Sequence, residues 1–266
     1  MIKKQHIWPL KSMNSQSNDI ALLQQLLKEE SMRWGFKEVS LGQNDDAKIT
    51  LLQAKGNDHT LPHALIASGF HGEEPAGPWG ILDFLQNNSP QLLDTIALSF
   101  LPVVNFSGTS LGQRLNLAGE NPNRGFTPGK ELPSSEGKIL LKNQKLIFLS
   151  ARDGVLCCHE DLPATQSYVY TFEAGALPGD FSLKLRDSLA VFFSTHPDGE
   201  VDGCQCRDGI IYNQRDSSFE SWLVSLGVPV AATTETPGTK CFEQRIAANS
   251  AVIGEFVSAI LARHSQ

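Results

Sequence analysis

The amino-acid sequence predicts one α/β domain: a central mixed sheet, mostly parallel, flanked by helices. Short apolar runs of strand length alternate along the chain with longer stretches of helical periodicity. The two longest apolar runs, around Leu65 and Leu98, bracket one predicted helix and so form a βαβ unit. No repeat, low-complexity tract or linker divides the 266 residues, a length that suits a single large α/β domain spanning 1–266.

Residues 1–17 read as a polar lead-in. From 17 to 28, Ile20, Leu22, Leu23, Leu26 and Leu27 recur at helical spacing behind Asp19, which predicts the first helix. Strands follow over 36–41 and 47–54, with Gly42 to Asp46 as their turn, and a third over 61–70. A helix begins near Pro78, tolerated in a first turn, and ends near Asn88. Residues 95–105 form the next buried strand. The stretch 106–130 has no periodicity and is rich in Gly, Asn, Pro and Ser; so long a loop inside a compact domain points to function.

Residues 134–150 predict one helix capped by Ser134 or Ser135. A strand over 154–158 ends at His159, and another runs over 167–173. A helix over 181–194, a polar loop over 199–207 and a short helix over 219–226 come next. The strand 228–234 ends at Glu235, and residues 241–264 close the chain as a helix with Ile246, Ile253, Phe256, Val257 and Ile260 on its buried face.

The composition, 41% hydrophobic and 19% charged, is that of a globular protein with a sizeable core. A net charge of -7 argues against a nucleic-acid backbone as partner. No run of 18 apolar residues predicts a membrane span. The basic residues Lys3 and Lys4 are followed by no apolar segment, so no secretory signal is read. Five cysteines, an odd number with Cys157 and Cys158 adjacent, then predict reduced thiols in the cytoplasm.

Three apolar strands therefore end in residues that bind metals or move protons: His71 with Glu74, His159, and Glu235. A parallel sheet gathers such ends along one edge, where α/β folds hold their ligands. The segment Gly69-Phe70-His71-Gly72-Glu73-Glu74 presents an imidazole and a carboxylate from one strand-to-helix loop, with glycines leaving room for close approach. Glu73 reads as a solvated neighbour. Two histidines and one glutamate are the usual protein ligands of a catalytic zinc, with the fourth position left for water. Glu235 then reads as the general base. An isolated polar residue at one strand end is commonplace; three aligned ends are not. His63, His59, His196, His6 and His264 read as bystanders. The cysteines Cys204 and Cys206, separated by one residue, lack the spacing of a structural zinc site.

These residues, in this order, resemble the zinc carboxypeptidases of the M14 type, including the branch near succinylglutamate desuccinylase and aspartoacylase. The resemblance runs from about residue 60 to 260. His71 and Glu74 match the first two zinc ligands, Cys158-His159-Glu160-Asp161 the third-ligand segment, and Thr234-Glu235-Thr236-Pro237 the segment of the catalytic glutamate. The stretch Asn105-Phe106-Ser107-Gly108, Arg114 and Asn121-Pro122-Asn123-Arg124 matches the substrate loop, with Pro122 departing from the common pattern.

The resemblance implies one zinc per chain, held by His71, Glu74 and His159. It implies that Glu235 activates a zinc water, that Arg114 stabilises the oxyanion, and that Asn123 and Arg124 hold the free carboxylate of a peptide or acylated amino acid. Tyr212 stands near the place of a tyrosine that closes over substrate, and Phe219 near the specificity pocket. The implied activity is a metallocarboxypeptidase; the alternatives are an N-acyl amino acid deacylase or a non-enzymatic binding domain on the same fold.

Overall fold

A computed structural model describes residues 18–44, 47–54, 60–127, 129 and 131–265. The lead-in, the tip of the first hairpin, His6 and His59 lie outside the described residues. The elements in chain order are α1 (Ile20–Trp34), β1 (Lys37–Asn44), β2 (Ala47–Gln53), β3 (His63–Ser68), α2 (Ala76–Asn87), β4 (Ala97–Leu101), α3 (Phe106–Leu111), α4 (Ser135–Lys142), α5 (Gln144–Ser150) and β5 (Gly154–Asp161). There follow β6 (Tyr168–Phe172), α6 (Asp180–Ala190), β7 (Gly199–Val201), β8 (Cys204–Arg207), β9 (Ile210–Tyr212), α7 (Phe219–Ser225), β10 (Ala231–Pro237) and α8 (Phe242–His264). A short 3-10 turn, Pro90–Asp94, lies between α2 and β4.

The ten strands of the described residues join one mixed sheet in the order β1-β2-β4-β3-β5-β10-β6-β9-β8-β7. Its centre, β4-β3-β5-β10, is parallel. The flanks are largely antiparallel, so the parallel pairing predicted for most of the sheet is concentrated at the centre. The four central strands point their C-terminal ends the same way, and His159 and Glu235 stand side by side in register on β5 and β10.

Alternation along the strands feeds two cores. Leu156 and Cys158 face a layer built from α1, α2, α6 and α8; Val155 and Cys157 face a layer with Leu140, Ile147, Phe219 and Trp222. Strand β3 is buried almost throughout, as expected of a strand covered on both faces. Helix α8 is long and apolar enough to cross a bilayer, and its packing against α2 and α6 accounts for that composition. A Cβ at Gly80 would lie 2.4 Å from the Asn249 Cβ, so α2 and α8 touch where only glycine fits.

Local chemistry sets the ends of the elements. Asp19 accepts the Leu22 N–H and caps α1, which ends at the left-handed Gly35, further along than the apolar spacing indicated. The helix expected over 134–150 is two helices. At Asn143 the side-chain amide bonds the Ile139 carbonyl of its own helix and the Leu41 carbonyl of β1, which ends α4 there. The expected loop 199–207 contributes β7 and β8, turned by Asp202 and Asp208 at φ 51° and 47°. Strands this short carry no periodicity to read. Helix α3 lies inside the expected long loop, capped by Asn105 through the Gly108 N–H.

One buried ion pair ties the layers to the sheet. Glu160, on the face of β5 opposite His159, accepts the Ala76 N–H at the start of α2 at 2.7 Å and pairs with Arg245 of α8. Replacing Arg245 by Met leaves that carboxylate buried without its cation. The expected outcome is a loss of about 3–5 kcal/mol in urea unfolding, the cost of breaking a buried pair from one side.

Candidate metal centre

His71 and Glu74 leave the sheet on the loop after β3. Gly69, at φ 64°, turns the chain out of the strand, and the backbone then runs so close to α3 that a Cβ on Gly72 would lie 1.9 Å from the Gly108 carbonyl carbon. That contact, with the Gly72 N–H donating to the Gln113 carbonyl at 2.9 Å, fixes where the two flanking side chains point. His159 arrives from within β5, two residues before its end, and Phe70 lies against its ring with centroids 5.7 Å apart.

The three side chains converge. Glu74 is 3% exposed and bridges both rings: Oε1 lies 2.7 Å from His71 Nδ1, and Oε2 lies 2.7 Å from His159 Nδ1. The ligand atoms of His71, Glu74 and His159 all fall within 4.8 Å of one another. Burial raises the Glu74 carboxyl, but the two imidazoles more than offset it and hold the group well below the usual carboxylate range.

The tautomer of His71 tests whether a metal fits. Asn121 Oδ1 accepts the Asn123 N–H at 3.0 Å, which identifies it as the amide oxygen, and it stands 3.1 Å from His71 Nε2. Nε2 therefore donates, and in the neutral ring Nδ1 turns a lone pair toward the Glu74 carboxylate. Either a proton on that nitrogen or a bound metal ion satisfies this 2.7 Å contact. Two imidazole nitrogens and a carboxylate are a donor set suited to a zinc-like ion.

Around this centre lies a cleft of about 500 Å³. Glu235 enters it from β10, with His159 beside it on one side and Tyr168 on the other. Burial, then the charges of Glu74 and Asp161, push its carboxyl well up. Arg114 reaches the cleft with its guanidinium 3.2 Å from Glu74 and 3.4 Å from Glu73, so Glu73 has an ionic neighbour. Asn123 Oδ1 accepts the Phe219 N–H, which leaves its side-chain amide hydrogens facing the site, 3.4 Å from His159 Nε2. Arg124 lines the same wall, bonded to the Asn123 carbonyl at 2.8 Å and 3.5 Å from Asp216. A second cavity, of about 320 Å³ between Ile49 and Leu117, holds none of these groups.

Other expectations meet a different placement. Tyr212 is not brought to the cleft: it pairs with Thr171 at the far end of β6, and its hydroxyl donates to the Glu173 and Gly175 carbonyls. Tyr168 and Tyr170 line the cleft instead. Both stand on β6 in the alternation that faces Glu235 and Thr233, a pattern readable once the strand pairing is known. Phe219 is fully buried among Phe70, Phe126 and Trp222. His196 sits against Tyr168 but outside the cleft lining. The five cysteines are free, and among the described residues no second cluster of metal-binding side chains forms.

Together, the fold and the His71, Glu74 and His159 cluster resemble those of metallopeptidases. A crystal structure from Shewanella baltica, of a protein classed as a metallopeptidase, is 46% identical over 91% of this chain and 92% of that one, with a TM-score of 0.89. By that likeness the chain belongs to this metallopeptidase family. Two more distant structures share the fold alone. They are a metallo-carboxypeptidase from Burkholderia cenocepacia (18% identity, 88% of this chain and 67% of that one, TM-score 0.65) and a succinylglutamate desuccinylase/aspartoacylase from Rhodobacter sphaeroides (18%, 85% and 64%, 0.57). No family model and no curated protein matches the sequence.

His159→Ala removes one donor and leaves the other two on their loop. Elemental analysis is expected to find about one zinc per wild-type chain and a loss of at least tenfold in affinity in the variant. Unchanged metal in the variant would place the ion elsewhere.

Proposed function

We propose that this protein is a zinc-dependent metallocarboxypeptidase that hydrolyses an amide bond next to a free carboxylate. One observation carries the reading: in a single cleft, the donors His71, Glu74 and His159 meet a partly buried carboxylate, Glu235, and a wall bearing Asn123 and Arg124. A binding domain needs no general base, so the presence of Glu235 disfavours a non-enzymatic role.

His71, Glu74 and His159 would hold the metal, one per chain. A zinc ion bound there supplies a Lewis acid for the scissile carbonyl and lowers the pKa of water to about 7. The chain's own groups do the rest. Arg124 offers a guanidinium that grips a carboxylate in bidentate fashion, and the Asn123 amide donates beside it. They anchor the end of the substrate that leaves.

Arg114, on the cleft wall beside Glu74, stabilises negative charge on the carbonyl oxygen as water adds. Glu235 takes the proton from the attacking water. The C–N bond then breaks, and Glu235 delivers that proton to the departing amine. The same buried environment that lifts its carboxyl lets it hold the proton between the two steps.

An N-acyl amino acid deacylase would use the same ligands and base on a smaller substrate. A cleft of about 500 Å³, extending from the donors to Glu131 and Arg215, supports the peptide reading. Five free cysteines support a reducing, cytoplasmic setting.

Glu235→Gln keeps the shape and removes the base. Hydrolysis of a peptide panel is expected to fall about 10²–10⁴-fold in kcat while zinc stays bound. Full activity in this variant would sink the mechanism.

A further inference from the structure

The cleft has a second buried polar spot, away from the metal donors and unused by the chemistry above. Glu220, in the first turn of α7, is only 6% exposed, lines the cleft, and has a buried oxygen, Oε2, with no hydrogen-bond partner. Among the carboxylates of the described residues it alone has such an orphan. Beside it on the same wall is Thr233, 4% exposed, whose hydroxyl is likewise buried and unpartnered. An acid in the first turn of a helix is favoured by the helix dipole when exposed. The dipole does not explain a carboxylate sunk into a cleft with an oxygen left over, since such a group costs free energy unless something satisfies it.

Among the described residues no cation pairs with it. Arg114 is engaged by Glu73 and Glu74, and Arg124 by Asp216. No ion pair joins Glu220 to Arg215, which is exposed on the same cleft. The near neighbour of Glu220 is the thiol of Cys157, which burial first and the Glu220 charge second push well above its usual range, so it stays a neutral S–H.

The position is as telling as the charge. Thr233 and Cys157 are register partners on β10 and β5, two residues before Glu235 and His159 on the same face. At about 3.3 Å per residue, that level lies some 7 Å deeper in the cleft than the base and the metal donors. It also lies on the leaving-group side. Phe219, next to Glu220, donates its N–H to Asn123, and Arg124 pairs with Asp216 of the same segment.

We propose that Glu220, with Thr233 beside it, recognises a positively charged side-chain end on the residue that is released, a primary ammonium or a guanidinium at the tip of a several-carbon stem. The substrate class is then a peptide whose last residue is lysine-like, a basic or diamino acid. This assignment rests on the carboxypeptidase reading, in which Asn123 and Arg124 hold that residue's carboxylate.

The test compares matched peptides ending in lysine or in norleucine, which lacks only the ammonium, on the zinc-loaded protein. The wild type is expected to favour lysine by about a hundredfold in kcat/KM, as for a desolvated charge pair. Glu220→Gln should bring the ratio close to one, and Glu220→Asp, which keeps the charge, should restore part of the preference. A wild type that prefers norleucine, or a ratio unmoved by Glu220→Gln, overturns the proposal. If no peptide is cut at all, the carboxypeptidase reading fails by itself, and calorimetry with the free amino acids decides this one. Lysine binding that Glu220→Gln abolishes supports it; lysine bound no better than norleucine overturns it.

Discussion

The site rests on a carboxylate whose side chain bonds away from the metal donors, toward the helices. Strand β5 places His159 and Glu160 on opposite faces, so one pleat serves two layers. His159 faces the metal donors. Glu160 faces the helices, where it accepts the first N–H of α2, pairs with Arg245 of α8 and approaches the Thr236 hydroxyl of β10. Its own N–H reaches Glu74 Oε2 at 3.3 Å. The negative charge sits at the positive end of α2, and the loop that bears His71 and Glu74 runs directly into that helix. Burial alone would neutralise such a group; Arg245 and the helix terminus are what make a charged form tolerable there.

From this anchor the geometry follows outward. Parallel pairing brings β3, β5 and β10 to a common edge, and the register sets Glu235 level with His159. The Asn121 amide orients one imidazole, and the Asn123 amide joins the other to the backbone of α7. Orientation of this kind is how surroundings tune a metal's donors. It also makes α7 part of the site, although the helix supplies no donor.

Much of this was legible in the chain. His71, Glu74, His159 and Glu235 announce themselves because each follows an apolar strand, and a parallel sheet leaves such ends few places to go. What was hidden depends on pairing. Tyr212 looked well placed by counting back from Glu235, but counting cannot see the chain double back at Asp202 and Asp208, which puts β9 beside the far end of β6. Tyr168 and Tyr170 face the cleft only because β6 runs antiparallel to β10. The break between α4 and α5 came from one side chain bonding a strand 102 residues away, which periodicity does not register. Glu220 carried no mark at all in the sequence; its burial is a tertiary fact.

The spacing of the site along the chain has a kinetic side. His159 and Glu74 are 85 residues apart, and Glu235 follows on a strand that pairs with both β5 and β6. Such long-range pairings form late, because the entropy of closing large loops must be overcome before the contacts repay it. As the chain emerges from the ribosome, all three metal donors are made well before the base. An incomplete nascent chain would thus carry the three candidate metal ligands and lack the proposed base, which arrives only with β10.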